Sequence, residues 1–501
     1  MILSSLAMSR PDNTRLAAVL LAVAVLLGVL VAVEFWTVLA VAVGVITIIP
    51  VMFLIGRDAR DRRGWLLAVG WAVMLVTTAA QNVTAMPIGY VLEVLLLLYS
   101  MNIVVTFWRQ LRFDRTLRVL AVLFIGYWLA SILSTLTGRS QLVPAIWQLQ
   151  YNLKWPFMFG LGFLVIWGAL VERTLKRIVQ YSWIGIGACV AVEIAFPGAH
   201  AAVFGPPPDL HGNPLLGVGL RYRGPFAHSG YLAITSAFLA SASLAYLIQF
   251  FGRSWFLLTG GYFFLLLLSG QRQELLAFVI ACLVLGLVVS WRYRSLVLVG
   301  SLVVVGLGVV GLIHVDHVPM GETLAQWGGL AGRADLSERA ILTANGLEVA
   351  SQYFPLGSGL GTYGGAGAQK FDQSLFVELG FGRYWWFRDG RFLVDTFWPG
   401  IMAEAGFIGA ATLLLTLLVL WYSLFRRALT WRNSTTAAPC LIALAGLTLL
   451  LANSPSSGAL TDPRSCFLFW VLMGAVWRVT GSEFSVGLQT DDKKKGILHA
   501  N

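Results

Sequence analysis

Charge is scarce in this sequence. Asp, Glu, Lys and Arg make up 12% of its 501 residues, about half the share found in ordinary soluble domains. With 58% hydrophobic residues and a mean hydropathy of +0.77, a water-soluble globular protein is excluded and the bilayer becomes the solvent. Cysteine is scarce too, and Cys189, Cys282, Cys440 and Cys466 all lie in apolar stretches without metal-type spacing. That pattern excludes a disulfide framework and a zinc site. No HExxH motif occurs, and His200, His211, His228, His314 and His317 fit no ligand spacing, so neither a metal nor a cofactor is expected. The net charge of +11 does not indicate nucleic acid. Its basic residues fall in short clusters between apolar runs, at 57–63, 109–118, 173–177, 292–294, 426–432 and 493–495, the pattern of positive-inside anchoring.

What the chain has in quantity is long apolar runs. A helix needs about 20 apolar residues to cross about 30 Å of hydrocarbon. Fourteen candidates lie near 14–33, 37–56, 65–84, 87–107, 118–137, 154–171, 178–196, 230–250, 255–269, 274–291, 295–313, 397–424, 437–455 and 463–480. The first is too long for a signal-peptide core and is followed at once by a second, so no cleavable leader is expected. With the N-terminus inside, even-numbered exits meet basic clusters and odd-numbered exits do not. The expectation is an all-α polytopic membrane protein of 12–14 spans. It divides into N-terminal spans (1–196), a first outer loop (197–229), central spans (230–314), a large outer loop (315–396), C-terminal spans (397–482) and a polar cytoplasmic tail (483–501).

Three arginine-bearing segments lie on the outer face, against the positive-inside bias: RYRGPF with Arg221 and Arg223, SGQRQE with Arg272 and Glu274, and the large loop with Arg339, Arg383 and Arg391. The large loop is predicted to carry an amphipathic helix over Ser337–Phe354, in which Ile341, Leu342, Leu347, Val349 and Ala350 are the apolar members. The Gly-rich run PLGSGLGTYGG follows; with no strand before it, its glycines are read as tight turns and close backbone approach rather than a nucleotide loop. Burying Arg272 near the headgroups costs a few kcal/mol unless it is paired, with Glu274 as one partner and a phosphate as the other. A lipid-linked diphosphate sugar presents its phosphates at that depth, and fixed arginines would stabilise a departing diphosphate. An acceptor hydroxyl would then need a carboxylate or histidine nearby. Asp395, which ends the large loop, is one such group; with Pro399 following, Asp395 or Thr396 is also read as a helix N-cap.

The segments RYRGPFAHSGYLA (from Arg221), SGQRQELLAF (from Ser269), ERAILTANGLEVASQYFPLGSGLGTY (from Glu338) and VDTFWPGIMAEAGFIG (from Val394) resemble, in order and spacing, the signature of the O-antigen ligase and polysaccharide polymerase superfamily. The resemblance covers about residues 221–409. It implies a GT-C-type glycosyltransferase of the bacterial inner membrane, acting at the periplasmic face on undecaprenyl-diphosphate-linked glycans by an inverting, metal-independent displacement. Carried over residue by residue, it makes Arg223, with its neighbour Arg221, Arg272 and Arg339 the functional arginines. Ligases of the family present His-Asn where this chain has Asp395 and Thr396, which favours a polymerase. The resulting expectation assigns catalysis to Asp395, Arg223, Arg272 and Arg339, and substrate contact to Arg221, His228, Glu274, Tyr363, Arg383 and Arg391. The implied partners are the lipid-linked donor and acceptor, the bilayer, and a chain-length regulator and flippase of the same pathway. The rivals are a ligase acting on lipid A core or protein, and a secondary transporter, although no internal repeat of broken helices is visible.

Overall fold

The computed structural model describes residues 65–84, 91–165, 167–206, 212–213, 215–216, 220–289, 338–390, 393–431 and 437–498. The expected spans at 14–33, 37–56 and 295–313, together with His211, His314, His317 and Arg391, lie outside the described residues. The helices are α1 (Trp65–Thr84), α2 (Val91–Phe113), α3 (Arg115–Thr137), α4 (Leu142–Gly162), α5 (Ala169–Ala195), α6 (Pro197–Phe204), α7 (Ser229–Phe250), α8 (Arg253–Leu268), α9 (Arg272–Val288), α10 (Glu338–Gln352), α11 (Ala366–Phe371), α12 (Ser374–Glu378), α13 (Trp385–Arg388), α14 (Trp398–Trp431), α15 (Ala437–Asn453) and α16 (Pro463–Leu498). Among the described residues there is no strand. Six helices, α1, α3, α5, α7, α14 and α15, are long and apolar enough to cross a membrane. The protein is an all-α, membrane-embedded chain.

The remaining expected spans also coincide with helices, with two corrections. The span expected near 154–171 is α4, which begins at Leu142 and stops at Gly162. Gln148 and Asn152 made the stretch before 154 look like a loop; both are buried, Gln148 donating to Asn152 Oδ1 (3.0 Å) and Asn152 to the Tyr127 hydroxyl (3.0 Å), so the helix satisfies its own polar groups. The polar tail expected after 482 instead continues α16 to Leu498.

Packing sorts the helix ends onto two sides. α3 runs antiparallel to α14: Ser134 Oγ donates to the Glu404 carbonyl at one end, and Asp114 pairs with Arg427 (3.2 Å) at the other. α4 lies parallel to α16, with Trp155 against Trp470 at 4.7 Å and Gly162 against the backbone of Val471. The centre is α7, whose run of Ala and Ser lets its neighbours approach closely; Phe238 fills the space left by Gly446 of α15. One side, the loop end, collects the C-termini of α3, α5 and α15, the N-termini of α4, α7, α9, α14 and α16, and all of α10–α13. The other, the basic end, carries Arg109, Arg112, Arg115, Arg118, Arg173, Lys176, Arg177, Arg253 and Arg426.

At the loop end α10 buries Ala340, Ile341, Leu342, Val349 and Ala350, while Leu347 faces outward. Tyr363, Phe376, Phe381, Trp386 and Leu393 form a second core with them. The Gly-rich run is pinned to the first turns of α14: Ser358 N donates to the Ala403 carbonyl (2.8 Å) and Gly359 N to the Glu404 carbonyl (3.1 Å). Gly357 has φ +84°, and a Cβ there would lie 2.5 Å from Gly406 N, so the close approach read from the sequence is what these glycines provide.

Candidate functional site

Four of the expected residues, His228, Glu274, Arg339 and Asp395, meet where α7, α9, α10 and α14 begin. His228 caps α7, its Nδ1 accepting from Gly230 N (3.0 Å), which leaves Nε2 as the nitrogen carrying the proton. The next residue, Ser229, accepts from Gln271 Nε2 (2.7 Å) and ties α7 to the turn that opens α9 with Arg272. Two residues on, Glu274 is 6% exposed and its Oε1 accepts from Asn453 Nδ2 (3.3 Å) at the end of α15. Glu274 Oε2 and Asn453 Oδ1 are buried without hydrogen-bond partners, an arrangement that costs stability in an apolar bundle. Arg339, in the first turn of α10, reaches Asp395 Oδ2 at 3.4 Å, and with side chains 27% and 32% exposed the pair is open to water.

The residues on either side of Asp395 line a small cavity of about 40 Å³ between α4, the Gly-rich run and the start of α14. These are Val394 and Thr396, which share the lining with Gln148, Asn152, Glu404 and Thr461. The helix cap expected of Asp395 or Thr396 falls instead on Phe397, whose carbonyl accepts from Ile401 N (3.1 Å). Asp395 is therefore left to its ion pair, and Thr396 Oγ1 is buried with no partner.

Glu404 is a residue that sequence reasoning missed. It is 1% exposed, and its Oε1 accepts from Gly361 N (2.9 Å) and Tyr363 N (3.2 Å), so the carboxylate gathers the Gly-rich run around itself. An acidic residue inside an apolar helix was the available signal. Asp462, just before α16, was missed as well. Its carboxylate accepts from the Tyr231 hydroxyl and from Arg464 Nε and Nη2 (both 3.2 Å). Burial pushes the Asp462 carboxyl up, but the Arg464 charge and the Tyr231 hydrogen bond outweigh it and hold the group below its ordinary value. Tyr231 lies in the first turn of α7, which brings Asp462 and Arg464 to the same end as His228.

The other expected residues have different surroundings. Arg223 is 4% exposed and donates to the carbonyls of Gly205 and Ala227, while its own N–H and that of Gly224 donate to Glu193 (3.0 and 2.8 Å). Its guanidinium braces the loop between α6 and α7, with Nε buried and without a hydrogen-bond partner. Arg221 packs against Gly270, in the turn before Arg272. Tyr363 is fully buried, donates to the Leu342 carbonyl (2.7 Å) and stacks on Phe376 at 4.8 Å within the loop core. Arg383 is exposed and lies over the ring of its neighbour Tyr384 at 4.8 Å. Among the described residues no group of three or more His, Cys, Asp or Glu is placed to hold a metal ion. No family model matches the chain, and a search of curated proteins returns no match.

Proposed function

We propose that this protein is a membrane glycosyltransferase of the polymerase type, which moves a growing glycan from a polyprenyl diphosphate to a hydroxyl of the next lipid-linked repeat unit. The observation that carries this reading is the water-open Arg339–Asp395 pair beside the buried Glu274 carboxylate, at the end of the bundle away from the basic clusters. The positive-inside bias would put that end on the periplasmic side.

In the proposed reaction the acceptor oxygen attacks the anomeric carbon, the bond to the diphosphate breaks, and the hydroxyl proton passes to Asp395. The departing polyprenyl diphosphate carries the electron pair and gains negative charge, which Arg339 and Arg272 neutralise. At 3.4 Å and partly exposed, the Arg339–Asp395 pair is inexpensive to open. A phosphate that takes over Arg339 releases Asp395 toward the acceptor, so donor binding and base exposure are one event. Glu274 lies two residues after Arg272 in the first turn of α9, its Oε1 bonded to Asn453 Nδ2.

The test is reconstitution in liposomes with a polyprenyl-diphosphate oligosaccharide as both donor and acceptor. A ladder of longer lipid-linked glycans is expected, and it should disappear with Arg339→Ala. Glycan appearing only on a lipid A core acceptor would replace the polymerase by a ligase. Movement of the lipid across the bilayer without bond formation would replace the enzyme by a transporter.

A further inference from the structure

We propose that a groove at the basic end, between α2, α3, α4 and α14, is a binding site for an anionic phospholipid of the adjacent leaflet. One acyl chain would lie in the groove, with the phosphate on Arg109, Arg112, Arg115 and Arg118. The groove measures about 290 Å³, and its walls are apolar, among them Ile103, Phe107, Leu120, Phe124, Trp155 and Leu420. The only hydroxyl in its lining, that of Thr416, is bound to the Thr412 carbonyl (2.7 Å) within α14, so the indole N–H groups of Trp108 and Trp155 are the only side-chain donors left in an otherwise apolar lining. Val104, Trp108 and Ile125, on its rim, are 53%, 62% and 55% exposed, so the groove opens sideways, as a bilayer lipid requires. Its wall runs from Ile103 to Leu111 on α2 and from Leu117 to Ile125 on α3. Each stretch spans about 12 Å at 1.5 Å per residue, close to the roughly 15 Å of hydrocarbon in one leaflet.

Charge identifies the occupant. α2 and α3 are joined by Asp114 alone, so the four exposed arginines gather at the end of the helix pair that lines the groove. Asp114 is already committed: it accepts from Thr116 N (2.9 Å), Leu117 N (3.1 Å), Arg427 (3.2 Å) and Trp477 Nε1 (2.8 Å). Among the described residues none of the four arginines makes an ion pair. Four guanidinium groups without an ion pair among the described residues, at the end of an apolar slot, fit a phosphate with an acyl chain attached. The proposed donor lipid carries its diphosphate at the opposite end, about 33 Å away along α3, so this site does not depend on the proposed reaction.

Native mass spectrometry tests the proposal on the full-length protein, purified in mild detergent with an equimolar mixture of one anionic and one zwitterionic phospholipid of the same chain length. The protein is expected to retain the anionic lipid preferentially. Retention should fall about tenfold or more when the four arginines are changed to Ala. Ala121→Phe, which fills the groove without altering charge, should cause a similar loss. Changing Arg173, Arg177 and Arg253 to Ala at the same end, on helices that do not line the groove, should leave retention intact. Equal retention of both lipids, or equal loss in the control variant, would overturn the site. A photocrosslinker at position 104 should capture phospholipid; capture of residues 14–56 of the same chain, or of a polyprenyl lipid, would assign the groove to that occupant instead.

Discussion

At the loop end Arg339 faces Asp395, Arg464 grips Asp462, and Arg223 is bonded to two backbone carbonyls, whereas at the basic end Arg109, Arg112, Arg115 and Arg118 are exposed and make no ion pair among the described residues. The residue type is the same, and its physical use differs. A guanidinium drawn into the protein must be satisfied by named partners, which makes it specific to one geometry. One left at the membrane surface is satisfied by water and headgroups, and acts by charge alone. Counting arginines therefore says little about a site in this chain; asking what each one is bonded to separates brace, candidate catalytic group and anchor.

The largest effect that would sharpen this contrast is expected at Arg339. Arg339→Ala should lower polymer formation about a hundredfold or more, as for the loss of an electrostatic stabiliser of roughly 3 kcal/mol, and Lys should rescue it poorly because it lacks the two-pronged fork. Asp395→Asn should cost a comparable amount at unchanged thermal stability. The double variant should be little worse than either alone, since the two act as a unit; full additivity in steady-state kinetics would break the pairing.

Arg223→Ala should fail differently, by destabilising the protein by about 2 kcal/mol, because it leaves the buried Gly205 carbonyl and the part-buried Ala227 carbonyl without this donor. Thermal unfolding should register the loss while turnover per folded molecule stays near normal. A stable but inactive Arg223→Ala variant would return this residue to the chemistry.

A smaller effect concerns acid. Because the Asp462 carboxyl is held below its ordinary value in the folded state, its contribution is present above about pH 4, the unfolded value, and is lost as the pH falls toward the depressed folded value. The native protein should thus be more thermostable than Asp462→Asn near neutrality, with the difference shrinking as the pH is lowered toward 3. A constant difference across that range would show that the ion pair with Arg464 is not its source. Turnover is expected to change least on chelation with EDTA, since arginines neutralise the leaving group in the proposed reaction; a loss restored by Mg²⁺ would contradict that mechanism.

The all-α, membrane-embedded character was legible because twenty-residue apolar runs leave few alternatives in a bilayer. The bounds of α4 were missed because a helix that bonds Gln148 to Asn152 has the composition of a loop. For the site, position near a helix end was readable and direction was not. The motifs gathered His228, Glu274, Arg339 and Asp395 at one place, but nothing in residue type or spacing revealed that Arg223 and Tyr363 turn inward to the backbone and the loop core. Glu404 and Asp462 were passed over for the opposite reason. Each is a single acid in an apolar or turn-rich setting, and only the folded chain supplies the Gly361 and Tyr363 amides or the Arg464 guanidinium that account for it.

Gly406 interrupts α14 with φ +68° and ψ −175°, at the level where Gly357 presses on the helix backbone. The helix is thereby cut into a short piece hydrogen-bonded to the Gly-rich run and a long piece embedded among the spans. Bilayers of different thickness tilt a spanning helix to match its hydrophobic length. In this chain such a tilt would act on the segment after Gly406 and be absorbed at that one residue. The stretch from Asp395 to Ala405 would stay seated on the loop, so the Arg339–Asp395 spacing is insulated from changes in lipid composition.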